Sequence, residues 1–291
     1  MAGRTRASDR ARCSMTRLGL GLSEEMSLAD ARQVVRAVEA AAARDDVAGV
    51  VVAHGTDTME EVSFLSDLLV GTEKPVVFTG AQRAPGAPGF DGLVNLRDAL
   101  HVALSPAGRG LGTVVVFGGK ILSARHAVKT DTKAPSAFGP DWAVLGRVDE
   151  ASVHIWGRPV RGPLLSCSEP AQDIELLTTG IGMGAELLRH AAQSSRGIVL
   201  QALGLGNVPP AMLVEAEDIC AAGVPLVIAA GAGAGGTMPS YRSAARLRAA
   251  GAIFAENLPA RKARILLAAA LAEDGDGVAA VQAYLAAIRS P

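Results

Sequence analysis

Short apolar runs alternate with helix-like stretches along this chain from about residue 27 onwards, and that pattern restricts the possible folds more than any other feature. Residues 27–44 open with Ser27 as a cap and place Val34, Val35 and Val38, with Ala41 or Ala42, on one helical face. An apolar run at 47–53 follows, then a helical pattern at 58–70 and a second apolar run at 75–79. After a Gly/Pro-rich loop at 84–89 come a helix at 93–104 and an apolar run at 112–117. A second round begins near Ile174, with strands at 174–178, 197–202 and 225–229 and helices at 184–193, 210–222 and 259–272. Such alternation builds βαβ units around a parallel sheet, whose strands are covered on both faces and so read as solid apolar runs. The composition agrees. Hydrophobic residues make up 49% of the chain but aromatics only 3%, which leaves Ala, Val, Leu and Gly to form the interior.

At 291 residues the chain is long for a single core. Two α/β domains are expected: a larger N-terminal parallel-sheet domain of the flavodoxin/Rossmann-like kind at 1–160, and a smaller C-terminal one at 173–291. The linker between them, 161–172, is placed on the Pro-, Ser- and Gly-rich stretch that starts near Gly157. With 28 basic and 29 acidic residues the net charge is −1, so nothing draws the whole molecule to nucleic acid or to an anionic membrane. A small-molecule substrate is the expected partner. Cys13, Cys167 and Cys220 lie far apart without a CxxC, and the five histidines show no HExxH, so neither a disulfide framework nor a metal or other cofactor is expected. The longest uncharged stretch, 219–241, is broken by Pro225, Pro239 and several glycines and reads as loop, strand and loop rather than a membrane span. The first twenty residues lack the apolar core of a secretory signal, and a cytoplasmic location is expected.

One segment carries chemistry. In Gly49-Val50-Val51-Val52-Ala53-His54-Gly55-Thr56-Asp57-Thr58-Met59-Glu60-Glu61 an apolar strand runs into a helix across a short turn. Thr58 and Glu61 have the spacing of a capping box, which predicts the helix start. Thr56 and Asp57 then sit at the carboxyl end of a parallel strand, where open α/β sheets bind ligands. The helix amides there favour an anionic group, such as a substrate carboxylate or a developing oxyanion. A threonine hydroxyl is a weak nucleophile until a base takes its proton; a buried lysine held by a carboxylate can be that base. Lys129, in Ala127-Val128-Lys129-Thr130-Asp131-Thr132, is the candidate. The residues alone leave two readings open: turn-and-cap residues only, or an amide-hydrolysing site.

The run VVVAHGTDTMEE resembles the second signature of the bacterial-type L-asparaginase (asparaginase/glutaminase) family. Further likenesses follow in the family's order. Gly80-Ala81-Gln82-Arg83 resembles its GAMR-type strand end, and Asp91-Gly92-Leu93-Val94-Asn95-Leu96 its DGxxNL helix start. Val128-Lys129-Thr130-Asp131-Thr132 is similar to its catalytic lysine loop, Gly204-Leu205-Gly206-Asn207 to its GxGN loop, and Pro259-Ala260-Arg261-Lys262-Ala263-Arg264 to its PxKAR helix. The resemblance runs from about Leu22 to the C-terminus and implies hydrolysis of L-asparagine to L-aspartate and ammonia through a threonine-dependent acyl-enzyme. It implies that Thr56 and Lys129 form the hydroxyl–amine pair of a Thr-Lys-Asp triad, with Asp57 binding the substrate's α-ammonium group. Ser23, in a loop similar to the family's SxDM, would hold the α-carboxylate. Glu24 stands where many members have Gln. Asn207 would reach a neighbouring subunit's site, in a homodimer or homotetramer.

The likeness stops at the start. Members open with a strand ending in a TGGTI-type turn whose threonine is taken as the acylated nucleophile, and residues 1–21 contain no such turn. Either the start is read from an internal methionine or the segment has been lost. In the second case Thr56 acts alone or the protein binds an amino acid or a partner without hydrolysing; in either case the missing strand would be a central one, and the N-terminal sheet is expected to have a gap. Glutaminase or other small-amide activity is a further alternative. Gly231-Ala232-Gly233-Ala234-Gly235-Gly236 is read as a close-packed connection rather than a nucleotide-binding turn. His54 is expected to pack or hydrogen-bond, His126 to face solvent, Trp142 and Trp156 to anchor a core or interface, and Arg242–Arg248 to form a solvated helix face.

Overall fold

The computed structural model describes residues 12–272 and 276–289. Part of the start on which the missing-turn reading rests, residues 1–11, lies outside them. A 3-10 turn, Ser23–Glu25, leads to helix α1 (Leu28–Ala42). Ser27 caps α1 as expected: its hydroxyl accepts from the Asp30 amide at 3.2 Å, and the Asp30 carboxylate accepts from the Ser27 amide at 2.9 Å. Then come β1 (Val50–Ala53), α2 (Met59–Leu69), β2 (Val76–Thr79), α3 (Gly92–Leu104) and β3 (Thr113–Phe117), followed by β4 (Lys120–Ser123), β5 (Val128–Lys129), β6 (Phe138–Gly139), β7 (Val144–Asp149) and β8 (Ser152–Ile155). No helix or strand occurs in 156–173. The second α/β unit runs β9 (Ile174–Thr178), α4 (Glu186–Ser194), β10 (Gly197–Gln201), α5 (Pro210–Ala221), β11 (Leu226–Ala229), α6 (Arg242–Ala249), β12 (Ile253–Phe254), α7 (Ala260–Ala270) and α8 (Gly277–Ile288).

The fold is the expected two-domain α/β one, but the larger sheet is mixed. Its order is β1-β2-β3-β4-β7-β8, parallel from β1 to β3 and antiparallel from there on. The switch comes at Gly118 and Gly119, whose φ values of 57° and 73° are those of a tight hairpin turn, so β4 folds straight back on β3. The expected gap inside this sheet is absent. The six strands are continuous, and β1 instead forms an edge whose second side carries no strand among the described residues. The smaller sheet, β12-β11-β10-β9, is entirely parallel.

Helices α2 and α7 join the two units. One buried cluster runs from Val35 and Phe64 through Phe117 to Leu266, Leu267 and Tyr284, with Phe64 and Tyr284 edge to face at 6.1 Å. Trp142 and Trp156 are both exposed, which removes the core alternative of their expected role as core or interface anchors. Trp142 lies edge-on to the His126 ring, and the Trp156 indole donates to the Val144 carbonyl at 3.2 Å. Among the described residues no helix is long and apolar enough to cross a membrane.

Candidate active site

The site forms where β1 ends. The His54 amide donates to the Thr79 carbonyl at 2.8 Å, which continues the β1–β2 ladder by one residue and fixes where the turn begins. Thr56 and Asp57 follow at the carboxyl rim of the sheet, directly before α2. The expected capping box does not form. The Thr58 hydroxyl donates to the Ser23 carbonyl at 2.9 Å, so the 3-10 turn competes successfully for it, and the Glu61 amide bonds the Thr58 backbone carbonyl instead. Burial raises the Glu61 carboxyl above its ordinary range, although Arg261 opposes the shift. Ser23 comes equally close to residue 55: a Cβ there would lie 2.5 Å from the Ser23 hydroxyl oxygen. Only glycine leaves room for that approach.

Lys129 reaches the rim from β5, which is paired with β6 through Lys129 and Phe138. Its Nζ donates to Thr56 Oγ1 at 2.8 Å and to Asp57 Oδ1 at 2.6 Å. The lysine side chain is 18% exposed and that of Asp57 55%, so the ion pair faces solvent on the carboxylate side. Behind it stands Glu60, a residue the sequence reading passed over. Its Oε2 accepts the Lys129 backbone amide at 2.8 Å, and its Oε1 lies 3.7 Å from Arg261 Nη1 of α7. Glu60 is buried, and its place in the first turn of α2 was the only local signal for it.

The surrounding loops are tied together. The Asp91 carboxylate accepts the amides of Gln82 and Arg83 at 3.0 and 2.9 Å and the Asn95 side-chain amide at 3.0 Å, while Asn95 Oδ1 accepts the Gly118 amide at 3.0 Å. Burial would raise the Asp91 carboxyl, but the two backbone donors outweigh it and hold the group below the usual carboxylate range. His54 packs and hydrogen-bonds as expected: Nδ1 lies 2.7 Å from the Gly55 carbonyl oxygen and the ring 6.2 Å from Phe78. Burial lowers its pKa despite the Gly55 bond. His126 does not face solvent. It is buried, 4.8 Å from the Trp142 ring, and burial with Arg125 and Lys262 nearby lowers its pKa to about 3.

Of the sequence-based candidates, Thr56, Asp57 and Lys129 meet directly, and Ser23 lies against their turn. Glu24 is exposed in the 3-10 turn after Ser23. Asn207 is held in the other domain, pairing with Leu203 and accepting from the Ser243 hydroxyl at 3.1 Å. None of these partners belongs to the Thr56 cluster. The glycine-rich segment after β11 is close-packed at its ends, where a Cβ at residue 231 would lie 2.4 Å from the Ala202 carbonyl oxygen and one at 236 would lie 2.6 Å from that of Glu256, but open between them, where a Cβ at residue 233 or 235 would meet nothing within 4 Å. It borders a cleft of about 290 Å³ at the carboxyl ends of β9 and β10. The basic stretch of α6 is largely exposed, with Arg246 paired to Glu217.

A hydroxyl held by a lysine, beside a carboxylate and a helix start, is equipped for attack on an electrophilic carbonyl. Comparison with known proteins points the same way. A family model for the asparaginase N-terminal domain matches residues 3–161, and one for the glutaminase/asparaginase C-terminal domain matches 173–285. A probable L-asparaginase of Deinococcus radiodurans is 38% identical over 84% of this chain and 77% of its own length. An L-asparaginase of Bacillus licheniformis is 34% identical over 79% and 73%. The crystal structure of a probable cytoplasmic L-asparaginase from Campylobacter jejuni superposes with a TM-score of 0.81 at 28% identity, covering 90% of this chain and 85% of that one. With both domain models matched in order and relatives alike over most of their length, this chain belongs to the asparaginase family.

Proposed function

We propose that the protein hydrolyses the side-chain amide of L-asparagine, giving L-aspartate and ammonia. The carrying observation is the contact of Lys129 Nζ with Thr56 Oγ1 at 2.8 Å and with Asp57 at 2.6 Å. In the proposed reaction Lys129 first releases its ammonium proton to solvent on the exposed Asp57 side, and as the amine then takes the hydroxyl proton while Thr56 Oγ1 bonds to the amide carbon. Collapse of the tetrahedral species breaks the carbon–nitrogen bond, and the nitrogen leaves as ammonia with the proton held on Lys129. Water then attacks the threonyl ester, releasing aspartate and restoring the hydroxyl. Asp57 orients the lysine and offers its solvent-facing side to the substrate's α-ammonium group. Ser23 and Glu24 stand on the approach, where Ser23 would hold the α-carboxylate. Asn207 would complete the site of a neighbouring subunit in a homodimer or homotetramer, and the protein would work in the cytoplasm on a small-molecule substrate.

Glu24 favours a second substrate reading. It stands where the family resemblance puts Gln in many members; a carboxylate there can still face the substrate's α-ammonium group but alters its recognition, so L-glutamine and other small amides belong in the same assay. Ammonia release from L-asparagine, L-glutamine and short amides tests the proposal. Thr56→Val, which removes the proposed nucleophile, is expected to abolish turnover, and Lys129→Met to lower kcat by about 10²–10⁴-fold, the usual value of a positioned proton-transfer group. A parent protein that binds L-aspartate yet releases no ammonia from any amide would mean a binding role instead.

A further inference from the structure

Lys262 is the least conventional buried group in the molecule. It lies in α7 with no solvent exposure, and its Nζ donates to the Ala127 carbonyl at 2.6 Å and to the Ala124 carbonyl. A ring contact with Phe64, 5.8 Å away, covers another side. A buried ammonium is costly unless its donors are used. Here they are used on the two carbonyls that bracket the turn between β4 and β5. That turn is otherwise closed by the Ala127 and His126 amides, which both bond the Ser123 carbonyl. Two residues beyond Ala127 comes Lys129, whose own amide is taken by Glu60, and Glu60 in turn faces Arg261, the residue before Lys262. Of two adjacent side chains on one C-terminal-domain helix, Lys262 therefore holds the turn before Lys129 directly and Arg261 reaches Lys129 only through Glu60.

We propose that Lys262 is a positioning residue: it clamps the Ala124–Ala127 turn and thereby aims Lys129 at Thr56. The catalytic consequence rests on the amidohydrolase reading above, whereas the clamp does not. Lys129 Nζ must stay within hydrogen-bonding distance of a hydroxyl on the separate turn after β1, and a displacement of about 1 Å at such a site costs on the order of 10²-fold in rate. An amine retains two N–H donors, enough for both carbonyls, so the clamp survives loss of the Lys262 charge. Hydrophobic replacement removes it.

The test is Lys262→Met, which keeps side-chain length and loses every donor, compared with Leu266→Ala, a core truncation in the same helix with no donor to lose. Amide hydrogen exchange over 124–130, melting temperature, kcat and KM are measured for each. Lys262→Met is expected to speed exchange at the Lys129 amide and to lower kcat roughly 10–100-fold with KM within about twofold. Leu266→Ala is expected to lose stability while keeping Lys129 protected and kcat near parent. Should the methionine variant not fold, Lys262→Gln, with a shorter neutral donor, is expected to fall between it and the parent in both readouts. Unchanged exchange at Lys129 in the Lys262 variant overturns the proposal, as does Leu266→Ala matching it in exchange and kcat. A parent that releases no ammonia refutes the amidohydrolase reading alone, because exchange still decides the clamp.

Discussion

At the scale of single residues, the proposed chemistry rests on a lysine held at three points. Two are the side-chain contacts with Thr56 and Asp57; the third is the backbone amide donated to Glu60. A hydrogen bond to an ionised partner is stronger than one between neutral groups, and losing a buried acceptor strands the donor. Glu60→Ala is therefore expected to destabilise the fold by about 1–3 kcal/mol and to lower kcat. Glu60→Gln, which keeps an acceptor for Lys129 but loses the charge facing Arg261, should recover most of both. Urea unfolding alongside ammonia release separates the two outcomes; equal losses in both variants would show that the charge, not the acceptor, is what matters.

At the scale of elements, β1, β2 and the turn between β1 and α2 are packed without slack. A Cβ at residue 80 would lie 2.3 Å from the His54 carbonyl oxygen and 2.8 Å from Met59 Cε, so Gly80 is where the end of β2 passes under the turn that carries Thr56 and Asp57. Gly80→Ala must push that turn outward. Overpacking of this kind costs about 1–3 kcal/mol, and activity should fall with it; a variant with parental melting temperature and kcat would contradict the close approach. Much of this geometry was legible in the chain. Val50–Ala53 and Met59–Leu69 follow from an apolar run and a helical pattern around HGTD, and Thr56, Asp57 and Lys129 follow from family likeness. The misreadings share a cause. Thr58 looks like a cap because a local pattern cannot show that its hydroxyl has an acceptor 35 residues away. The antiparallel half of the larger sheet escaped a reading tuned to βαβ units, since its strands are short and joined by hairpins such as Gly118-Gly119. His126 looked solvated because burial by α7 and Trp142 is a long-range fact.

At the scale of the whole molecule, the seam between the two domains stores charge where water is scarce, and this makes stability depend on pH in two separate windows. His126 has a pKa lowered to about 3 by burial, with Arg125 and Lys262 facing it, against 6.5 when unfolded. Between those values the unfolded chain binds the proton and the folded one does not, so stability is full above pH 6.5 and is lost as pH falls towards 3. Lys262 behaves alike at higher pH. Burial lowers it from 10.5 to about 7 against the pull of Glu60, Asp67 and Glu61, with Arg125 adding to the drop. In that window the unfolded chain again holds the extra proton, and stability rises with pH from about 7 to 10.5. Each group contributes a slope of up to about 1.4 kcal/mol per pH unit inside its own window and none outside it. Chemical unfolding measured across pH should therefore show His126→Phe flattening the acid limb alone, whereas Lys262→Met flattens the alkaline limb and also shortens the acid one, because the Lys262 charge helps hold the His126 pKa down. The alkaline limb is the one that distinguishes them, because His126 does not contribute to the Lys262 shift. If His126→Phe leaves the slope between pH 3 and 6.5 as it was, His126 is already charged in the folded protein, and the dry seam inferred between α7 and the 124–127 turn is wet.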